Sequence, residues 1–304
     1  MHMPKKVAAV IVNWNNYDDL DRCLRSFAVL RYPVCDVVIV DNGSTDGSTH
    51  KIQTQFPRHQ YIYNPVNLGY AGGANIGIRY ALKQQYDYVW LLNSDTVITQ
   101  SDYLDVLVVI AENHADCGVI GSLVLNRDKS SVVQSEWFTF SLLKGRFLPM
   151  QKNAALSAIP QRTVKLRNGE YLNAASTLVK SSVFQRYGLW PEDFFLYFED
   201  NTWEDKIRKD DTTAVYYTAK TYILHKGAAS SGGYRKSTTL DYYDTRNYLY
   251  FIKRSYPYLL SYHVMRSVVN KVLPKVVRRE WKRLQYVLYG FRDFFRGKTG
   301  KFEP

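Results

Sequence analysis

Three mostly apolar runs in the first third of the chain end in short polar turns. The runs and the residues that follow them are 7–12 before Asn13, 35–40 before Asp41, and 88–92 before Asn93. Helical stretches are predicted between and after them, over about 17–29, 46–55, 73–85 and 101–113. This alternation predicts an α/β fold, an open and mostly parallel sheet with helices on both faces. Parallel strands bring their carboxyl ends to one edge, so we expect the polar turns to meet there, where such sheets bind ligands.

Each polar turn taken alone has a simpler explanation, because Asp, Asn and Gly are favoured in turns. Three such turns in order favour a shared site for a nucleotide and a metal ion. The glycine-rich segment 69–73 lacks the GxGxxG spacing and does not follow the first strand, so it is not a dinucleotide fingerprint. We expect it to allow a close backbone approach to a ligand or a neighbouring helix at a helix start.

The pattern changes after residue 125. Residues 126–180 predict irregular strands and loops, and a later strand is predicted to end at His225. Residues 226–236 are rich in Gly and Ser, which predicts a loop. From about Asp241 the pattern is helical, so we expect a main domain over 1–240 and a helical extension over 241–304.

Composition limits the class of protein. Hydrophobic residues make up 46% and charged residues 22% of the chain, which is typical of a globular protein. No apolar run approaches the roughly 18 residues of a membrane span, and the run 7–12 is too short for a secretory signal. The three cysteines, Cys23, Cys35 and Cys117, are odd in number and widely spaced. They predict a reducing, cytoplasmic compartment without a disulfide framework or a zinc site.

The net charge of +12 is concentrated near the end of the chain, where residues 263–304 carry 11 Lys or Arg against 3 Asp or Glu. Apolar residues recur in the same segment at a spacing that places them on one helical stripe. They are Val277, Trp281, Leu284, Leu288, Phe291 and Phe295. One interpretation is a helix packed on the domain with a solvated basic face. The other is a helix in the interface of an anionic membrane, and the two are compatible.

Two residues suggest a metal site. Asp95 follows a predicted strand, where a carboxylate can hold Mg²⁺ or Mn²⁺ and leave positions open for a diphosphate. His225 also ends a predicted strand, and imidazole is acceptable to Mn²⁺ but not favoured by Mg²⁺. The alternative for His225 is a histidine that is only hydrogen-bonded at the end of its strand.

Asp200 is the candidate general base. It follows the aromatic run 194–198, and a partly desolvated carboxylate has a raised pKa that suits a base. Two alternatives remain at this point. Glu199 or Asp200 could cap the helix predicted over about 201–210, or Asp205 could be the base.

Five segments together resemble a known family. They are 10–15, 40–48, 67–75, 91–95 and 194–200. In this order they are similar to the family 2 inverting glycosyltransferases of the GT-A fold, and most of all to their bacterial rhamnosyltransferase-like branch. The resemblance covers roughly residues 5–255. It is specific for the superfamily and only weakly specific for the sugar.

The resemblance implies a role for each matching residue. Asp41 would contact the base or ribose of a nucleotide, and further residues would line the same site. These are Asn13, Asn67, Gly69, Gly73, Asn75 and Asn93. Asp95 matches the last Asp of the DxD metal motif, and His225 matches a His that helps hold metal and diphosphate. Asp200 matches the catalytic base, and the interval to His225 favours it over Asp205.

The chain departs from the family pattern at two positions. Asn93 stands where the DxD motif has its first Asp, and Thr202 stands where a second acid usually follows Asp200. Arg246 and Asn247 resemble part of a family helix that flanks the acceptor side. The departure at Asn93 concerns the metal site, and the departure at Thr202 concerns the acceptor contacts.

The predicted function is therefore inverting transfer of a sugar from a nucleotide-diphosphate donor, dTDP-rhamnose or a UDP-sugar, with Mn²⁺ or Mg²⁺. The acceptor would be a hydroxyl of a surface glycan or a lipid-linked saccharide. Residues 5–125 would bind the donor and 126–240 the acceptor, while 263–304 would attach to the anionic inner face of the cell membrane.

Two other classes of protein stay open. A sugar-phosphate nucleotidyltransferase should carry a basic phosphate-gripping loop near the first strand, and residues 13–19 offer none. A nucleic-acid-binding protein would explain the basic tail, but the acidic strand ends contradict a phosphate-lined groove. We therefore expect no nucleic-acid partner.

Overall fold

The structure is a computed structural model that describes residues 4–227 and 237–303. Most of the predicted loop 226–236 thus lies outside the described residues. The strands are β1 Val7–Asn13, β2 Cys35–Asn42, β3 Gln60–Asn64, β4 Tyr88–Asn93, β5 Thr96–Val97, β6 Cys117–Asn126, β7 Lys129–Ser135, β8 Phe138–Ser141, β9 Arg146–Pro149, β10 Thr163–Lys165, β11 Glu170–Tyr171, β12 Ser176–Lys180 and β13 Ala214–His225.

The helices are α1 Tyr17–Ser26, α2 Ser48–Gln55, α3 Gly69–Lys83, α4 Tyr103–Asn113, α5 Ser181–Tyr187, α6 Glu199–Arg208, α7 Thr238–Ser255, α8 Leu260–Ser267, α9 Leu273–Val277 and α10 Trp281–Phe295. A π-helical turn over Val268–Val272 joins α8 to α9. The predicted elements of the first 125 residues are therefore present, with small differences at their ends.

One large sheet forms the centre of the molecule, in the order β10-β13-β6-β12-β4-β1-β2-β3. The strands β4, β1, β2 and β3 are parallel, and β13 is parallel to β6. β12 lies between β4 and β6 and is antiparallel to both. The prediction of a mostly parallel α/β sheet is confirmed. β5 and β7 pair with β13 and β6 beside this path.

The strand register brings the polar strand ends together, as the apolar pattern predicts. Asn13 is paired with Asp41 across β1 and β2, and Val12 is paired with Asn93 across β1 and β4. The strands themselves are buried because helices cover both faces, with Val7, Ala9 and Ile11 packed on one side and Ala8 and Val10 on the other. The polar ends of three neighbouring strands thus reach one edge.

α3 begins at Gly69, four residues before the start expected from the sequence. The reason lies in the packing of its glycines on β1. A Cβ atom on Gly73 would lie 2.7 Å from Val12 Cγ1, and one on Gly77 would lie 2.3 Å from Val10 Cγ1. These glycines let a helix lie directly on the strand, so they belong to the helix and not to the loop before it.

A smaller sheet, in the order β11-β8-β9, lies beside the C-terminal helices. Phe140 and Tyr171 from this sheet form a third apolar core with Phe194 and with α7 residues such as Phe251. The expected boundary between residues 240 and 241 falls inside α7, whose buried face completes this core. The C-terminal segment is therefore packed into the main body of the protein.

α10 packs on α7 through a face that the sequence pattern did not single out. Val287, Gly290 and Phe294 are buried, and a Cβ atom on Gly290 would lie 2.9 Å from the Tyr242 carbonyl oxygen. Much of the predicted stripe faces away, since Val277 is 81% exposed, Trp281 60% and Phe295 67%. The helix has a packed face and, about 130° away round its axis, an exposed apolar one.

No helix among residues 4–227 and 237–303 is long and apolar enough to cross a membrane.

Candidate active site

A cavity of about 1440 Å³ opens at the carboxyl edge of the large sheet. Its walls come from the turn after β1, the loop before α3, the end of β4, the loop before α6, the end of β13 and the C-terminal helices. Six of the site residues expected from the sequence line it: Asn67, Gly69, Asn93, Asp95, Asp200 and His225. The sheet edge predicted to bind ligands is therefore a cavity, and its wall contains the metal candidate Asp95 and the base candidate Asp200.

Asp95 and His225 form a pair in this wall, with Asp95 Oδ1 3.1 Å from His225 Nε2. Backbone pairing places them together. β5 follows Asp95 directly and pairs antiparallel with the end of β13, so that Thr96 lies opposite His225. Lys226 N also donates to the Asp95 carbonyl oxygen at 3.2 Å. The two residues, 130 positions apart in the sequence, are therefore fixed by a strand ladder.

Gln134 orients the imidazole of His225. Its Oε1 lies 2.9 Å from His225 Nδ1, so with the amide oxygen as acceptor the Nδ1–H is the donor. This bond leaves Nε2 to face Asp95 and the cavity. A hydrogen bond from the second ring nitrogen is how proteins commonly fix a metal-binding histidine. Nothing in the sequence pattern marks Gln134, which lies on β7 in the irregular middle segment.

The pair fits a hard divalent cation. A carboxylate oxygen and an imidazole nitrogen point toward one another from the cavity wall, and both side chains retain some exposure. Among the described residues there is no group of three or more His, Cys, Asp and Glu side chains that could hold a metal. A cation at Asp95 and His225 would thus keep several positions for water or for substrate oxygens, as Mg²⁺ sites at phosphates commonly do.

Asn42, which the sequence reasoning passed over, holds the loop before α3. Its Nδ2 donates to the Gly69 carbonyl oxygen at 2.8 Å, and its Oδ1 accepts from Leu68 N at 3.1 Å. Gly69 has φ +78°, and a Cβ atom there would lie 2.0 Å from the Phe195 carbonyl oxygen. A close backbone approach is present at this glycine, but the approaching backbone belongs to the loop before α6 and not to a ligand or a neighbouring helix.

Four expected site residues do not line the cavity. Asn13 is fully buried and donates through Nδ2 to Ser48 Oγ at 2.9 Å and Thr49 Oγ1 at 2.8 Å. Asp41 is nearly buried and accepts from Ser44 N at 3.0 Å through Oδ1. Both tie the turn after β2 to the sheet edge, directly behind Asn42 and Gly43 of the cavity wall.

Gly73 and Asn75 lie deeper still. Gly73 packs on β1, and Asn75 is fully buried, where Nδ2 donates to the Trp190 carbonyl oxygen at 2.8 Å and Oδ1 accepts from Trp190 N at 3.1 Å. The expectation that these two residues contact a nucleotide is corrected here. Asn75 therefore joins α3 to the segment before α6, because its side-chain amide is hydrogen-bonded to the backbone of that segment.

The loop before α6 has an unusual backbone. Phe195, Tyr197 and Phe198 have φ values of 64°, 67° and 71°, a region that costs non-glycine residues about 1–3 kcal/mol each. Two buried side chains of α7 hold it. Asn247 Nδ2 donates to the carbonyl oxygens of Phe194 at 2.7 Å and Leu196 at 2.6 Å, and Arg246 donates to Phe194 at 3.1 Å. α7 therefore shapes the loop that leads into Asp200.

The carboxylates at the start of α6 have perturbed proton affinities. Burial raises the pKa of Asp200 and also that of Glu199, which the charge of Asp200 raises further. Asp200 lines the cavity, whereas Asp205 does not. Asp205 accepts from Tyr171 Oη at 2.8 Å and lies 3.8 Å from Arg208. Of the two candidates for a base, only Asp200 is thus presented to the cavity.

Aromatic residues complete the walls. Trp14 is 55% exposed at the cavity rim, on the turn after β1. Tyr70 is placed by two hydrogen bonds, from its Oη to Asn93 Oδ1 at 2.8 Å and from its backbone N to Phe195 O at 2.8 Å. Asn93 stands where the DxD motif has its first Asp, and its side-chain oxygen accepts a hydrogen bond from Tyr70. Both aromatic residues stand inside the quoted segments, but no role was expected for either.

The model of the glycosyl transferase family 2 matches residues 8–168, which is more than half of the chain. The chain belongs to this family. The match covers β1 through β10 and thus includes Asp95 and Gln134 but not Asp200 or His225. Membership of family 2 favours a glycosyltransferase over the nucleotidyltransferase and nucleic-acid alternatives.

Individual proteins similar to this chain are also named as sugar transferases. A low-salt glycan biosynthesis hexosyltransferase, Agl10 of Haloferax volcanii, is 25% identical over 67% of the chain, which spans 62% of that protein. An N-acetylglucosaminyl-diphospho-decaprenol L-rhamnosyltransferase of Mycobacterium tuberculosis is 27% identical over 76% of the chain and 79% of its own length. The mannosyltransferase PcManGT from Pyrobaculum calidifontis, solved with GDP-Man and Mn²⁺, shares the fold with a TM-score of 0.59 at 14% identity, over 98% of this chain and 89% of that one.

Replacing Asn247 with Ala should lower the turnover number about 100-fold, since displacements of about 1 Å at a reacting group have effects of that size. The carbonyl oxygens of Phe194 and Leu196 would lose their donor, and the start of α6 would shift. Nucleotide affinity, measured by calorimetry, should stay near wild type because the donor wall is untouched. Asn113→Ala, at the exposed end of α4, is the control. A variant that melts earlier but turns over normally when folded would contradict this positioning role.

Proposed function

We propose that this family 2 glycosyltransferase moves a sugar from a nucleotide-diphosphate donor to an acceptor hydroxyl with inversion at the anomeric carbon. The observation that carries the proposal is the placement of Asp200 and the Asp95–His225 pair in the wall of one cavity. A single displacement needs one base for the acceptor hydroxyl and one stabiliser for the leaving diphosphate. The two groups provide these functions from separate strands and helices.

In this reaction Asp200 accepts the proton of the acceptor hydroxyl as that oxygen attacks. Burial raises the pKa of Asp200, which makes its carboxylate a stronger base toward the hydroxyl. The bond from the anomeric carbon to the diphosphate oxygen breaks as the new glycosidic bond forms. Asp95 and His225 would hold Mn²⁺ or Mg²⁺, which, when bound, neutralises the charge that develops on the leaving diphosphate.

The donor is a nucleotide sugar in this proposal. The structural neighbour from Pyrobaculum calidifontis was solved with GDP-Man and Mn²⁺, which supports both a nucleotide sugar and a divalent cation. Similarity to the mycobacterial L-rhamnosyltransferase supports rhamnose as the transferred sugar. The donor we propose is dTDP-rhamnose, with a UDP-sugar as the alternative. Trp14 at the rim offers an exposed aromatic face on which a nucleotide base can stack.

The acceptor is a surface glycan or a lipid-linked saccharide, in keeping with the names of both relatives. A membrane-bound acceptor would favour attachment of the enzyme to the bilayer. The C-terminal helices expose apolar side chains on successive turns, among them Met265, Val269, Leu273, Val277 and Trp281. Arg278, Arg279 and Lys282 stand exposed next to them. We assign this surface to an anionic bilayer at the cytoplasmic face, because exposed apolar residues flanked by cations match lipid tails and anionic headgroups.

Asp200→Asn should lower turnover by about 10²- to 10⁴-fold and leave donor affinity nearly unchanged, because a general base acts only in the transition state. In the wild type, activity should rise with pH through the raised pKa of Asp200, so the acidic limb should lie above the ordinary value of about 4. Steady-state kinetics across pH would check both points. Asp205→Asn is the control. If it loses activity while Asp200→Asn retains it, the base is misassigned.

Asp95→Ala should weaken nucleotide-diphosphate binding in Mn²⁺ and leave it nearly unchanged in EDTA, because Asp95 acts through the cation. His225→Ala should behave likewise but more mildly, as one ligand among several. Calorimetry with UDP, dTDP and GDP in both conditions would measure this, with the exposed Asp128→Ala as control. Equal losses with and without Mn²⁺ would contradict a metal role.

Trp281→Ser with Phe295→Ser should reduce sedimentation with phosphatidylglycerol vesicles while leaving nucleotide binding and thermal stability unchanged. Both side chains are mostly exposed, so their removal costs little folding energy. Raised salt should release the wild type, because screening acts over about 8–10 Å. Val29→Ser with Val109→Ser, exposed apolar positions elsewhere, is the control. Equal sedimentation of both double variants would refute attachment through this surface.

A further inference from the structure

A second cavity, of about 690 Å³, adjoins the candidate active site. It lies between the β8–β9 hairpin and the C-terminal helices. Phe147, Phe198 and Asp244 line both cavities, and Phe198 stands two residues before Asp200. A molecule bound in this second cavity would therefore extend toward the proposed base.

The second cavity is strongly basic. Lys144, Arg146, Arg266 and Lys271 line it, against one carboxylate, Asp244. Lys271 Nζ lies 2.7 Å from Asp244 Oδ2. Within the described part of the chain, no carboxylate lies within ion-pair distance of Lys144, Arg146 or Arg266. Three cations without a compensating anion make a site with excess positive charge.

Tight packing fixes the hairpin that carries two of these cations. Gly145 has φ +55°, and a Cβ atom there would lie 2.4 Å from Tyr248 Oη and 3.2 Å from His263 Nδ1. Tyr262 Oη on α8 donates to the Leu143 carbonyl oxygen at 2.7 Å. Only glycine fits this approach, so the turn is held against α7 and α8 with Lys144 and Arg146 beside the cavity.

Two polar atoms behind the cavity wall have no hydrogen-bond partner among the described residues. They are Ser267 Oγ and Arg266 Nε, and both are buried. Because these atoms are closed off from solvent, the groups that can reach a ligand in the cavity are the charged ends of the lining cations. Guanidinium and ammonium ends of this kind form strong hydrogen bonds to oxyanions.

We propose that this basic cavity binds the diphosphate of the acceptor, so that the acceptor is a saccharide joined through diphosphate to a lipid. The assignment rests on the proposed function and specifies its acceptor class. Guanidinium and ammonium groups around a small cavity suit phosphate oxygens. The exposed apolar residues Met265 and Val269 flank Arg266 in the chain, so a lipid chain leaving the cavity would pass along the proposed membrane surface.

Binding can be measured without transfer. Inorganic pyrophosphate and geranyl diphosphate are titrated into the full-length protein by calorimetry, in EDTA and with saturating UDP, dTDP or GDP to fill the donor site. Lys144→Ala with Arg146→Ala should weaken both ligands about tenfold or more, because charged hydrogen bonds are lost. Arg58→Ala with Lys83→Ala removes the same charge at exposed sites elsewhere and should change neither affinity.

The other outcomes overturn the assignment. Displacement of pyrophosphate by the nucleotide would place it in the donor site. Equal weakening in both double variants would indicate non-specific charge attraction. Competition by phosphatidylglycerol vesicles as strong as that by geranyl diphosphate would make the cavity a headgroup site.

Failure of this proposal is distinct from failure of the proposed function. If no nucleotide binds the wild type in Mn²⁺, the transferase proposal fails, whatever the diphosphate titration gives. If nucleotide binds and the hairpin variant loses no diphosphate affinity, only the acceptor site is wrong. With transfer established, the variant should raise KM for a diphosphate-linked acceptor and leave donor affinity unchanged, which loss of folding would not do.

Discussion

The hydrogen bonds from Asn247 and Arg246 to the loop before α6 are the contacts on which the candidate site depends. Three non-glycine residues of that loop have positive φ, and together they cost several kcal/mol. Hydrogen bonds from a buried amide and a buried guanidinium offset this, since bonds to charged groups contribute about 1.5–3 kcal/mol. On its other side the same loop packs directly against Gly69, where a Cβ atom would collide with the Phe195 carbonyl oxygen. The loop is thus held between the sheet edge and α7, and its end determines where Asp200 stands. For this reason the C-terminal helices are part of the site and not an appendage to it.

The sequence was sufficient for those parts of the site that follow from strand order. Asn13, Asp41 and Asn93 each end an apolar run, and parallel pairing places such ends together. The contact of His225 with Asp95 does not follow from this order, since it depends on the two-residue strand β5, which was not predicted and which pairs antiparallel with the end of β13. Other residues could not be predicted in this way. Gln134 contacts His225 across 91 positions, and Asn247 reaches Leu196 across 51. Gln134 belongs to no local pattern, and the resemblance places Asn247 only in a helix that flanks the acceptor side. The role of each side chain exists only in the folded contact.

The family resemblance also assigned roles that the folded contacts do not support. It implied that Gly73 and Asn75 contact a nucleotide, yet both lie within the helix α3, which packs on β1. The amide of Asn75 is consumed by the backbone of Trp190. The apolar stripe of α10 was a similar case. Spacing correctly indicates that an apolar face exists, but it does not say which face packs. Val287, Gly290 and Phe294 took that role because only Gly290 permits the close approach to α7.

Charge is separated across the two adjoining cavities. The active-site cavity is lined by Asp95 at the sheet edge and by Glu199 and Asp200 at the start of α6, whereas the hairpin and α8 present Lys144, Arg146 and Arg266 to the second cavity. Asp244, paired with Lys271, stands in the wall that both cavities share. In the proposed reaction, a cation would balance the acidic wall and the donor diphosphate, and the acceptor diphosphate would balance the basic wall. The metal ion would bind the donor diphosphate, and the cations of the second cavity would bind the acceptor diphosphate. The Asp200 carboxylate would then not be paired with either set of cations, so it would stay available for the acceptor proton while both diphosphates are bound.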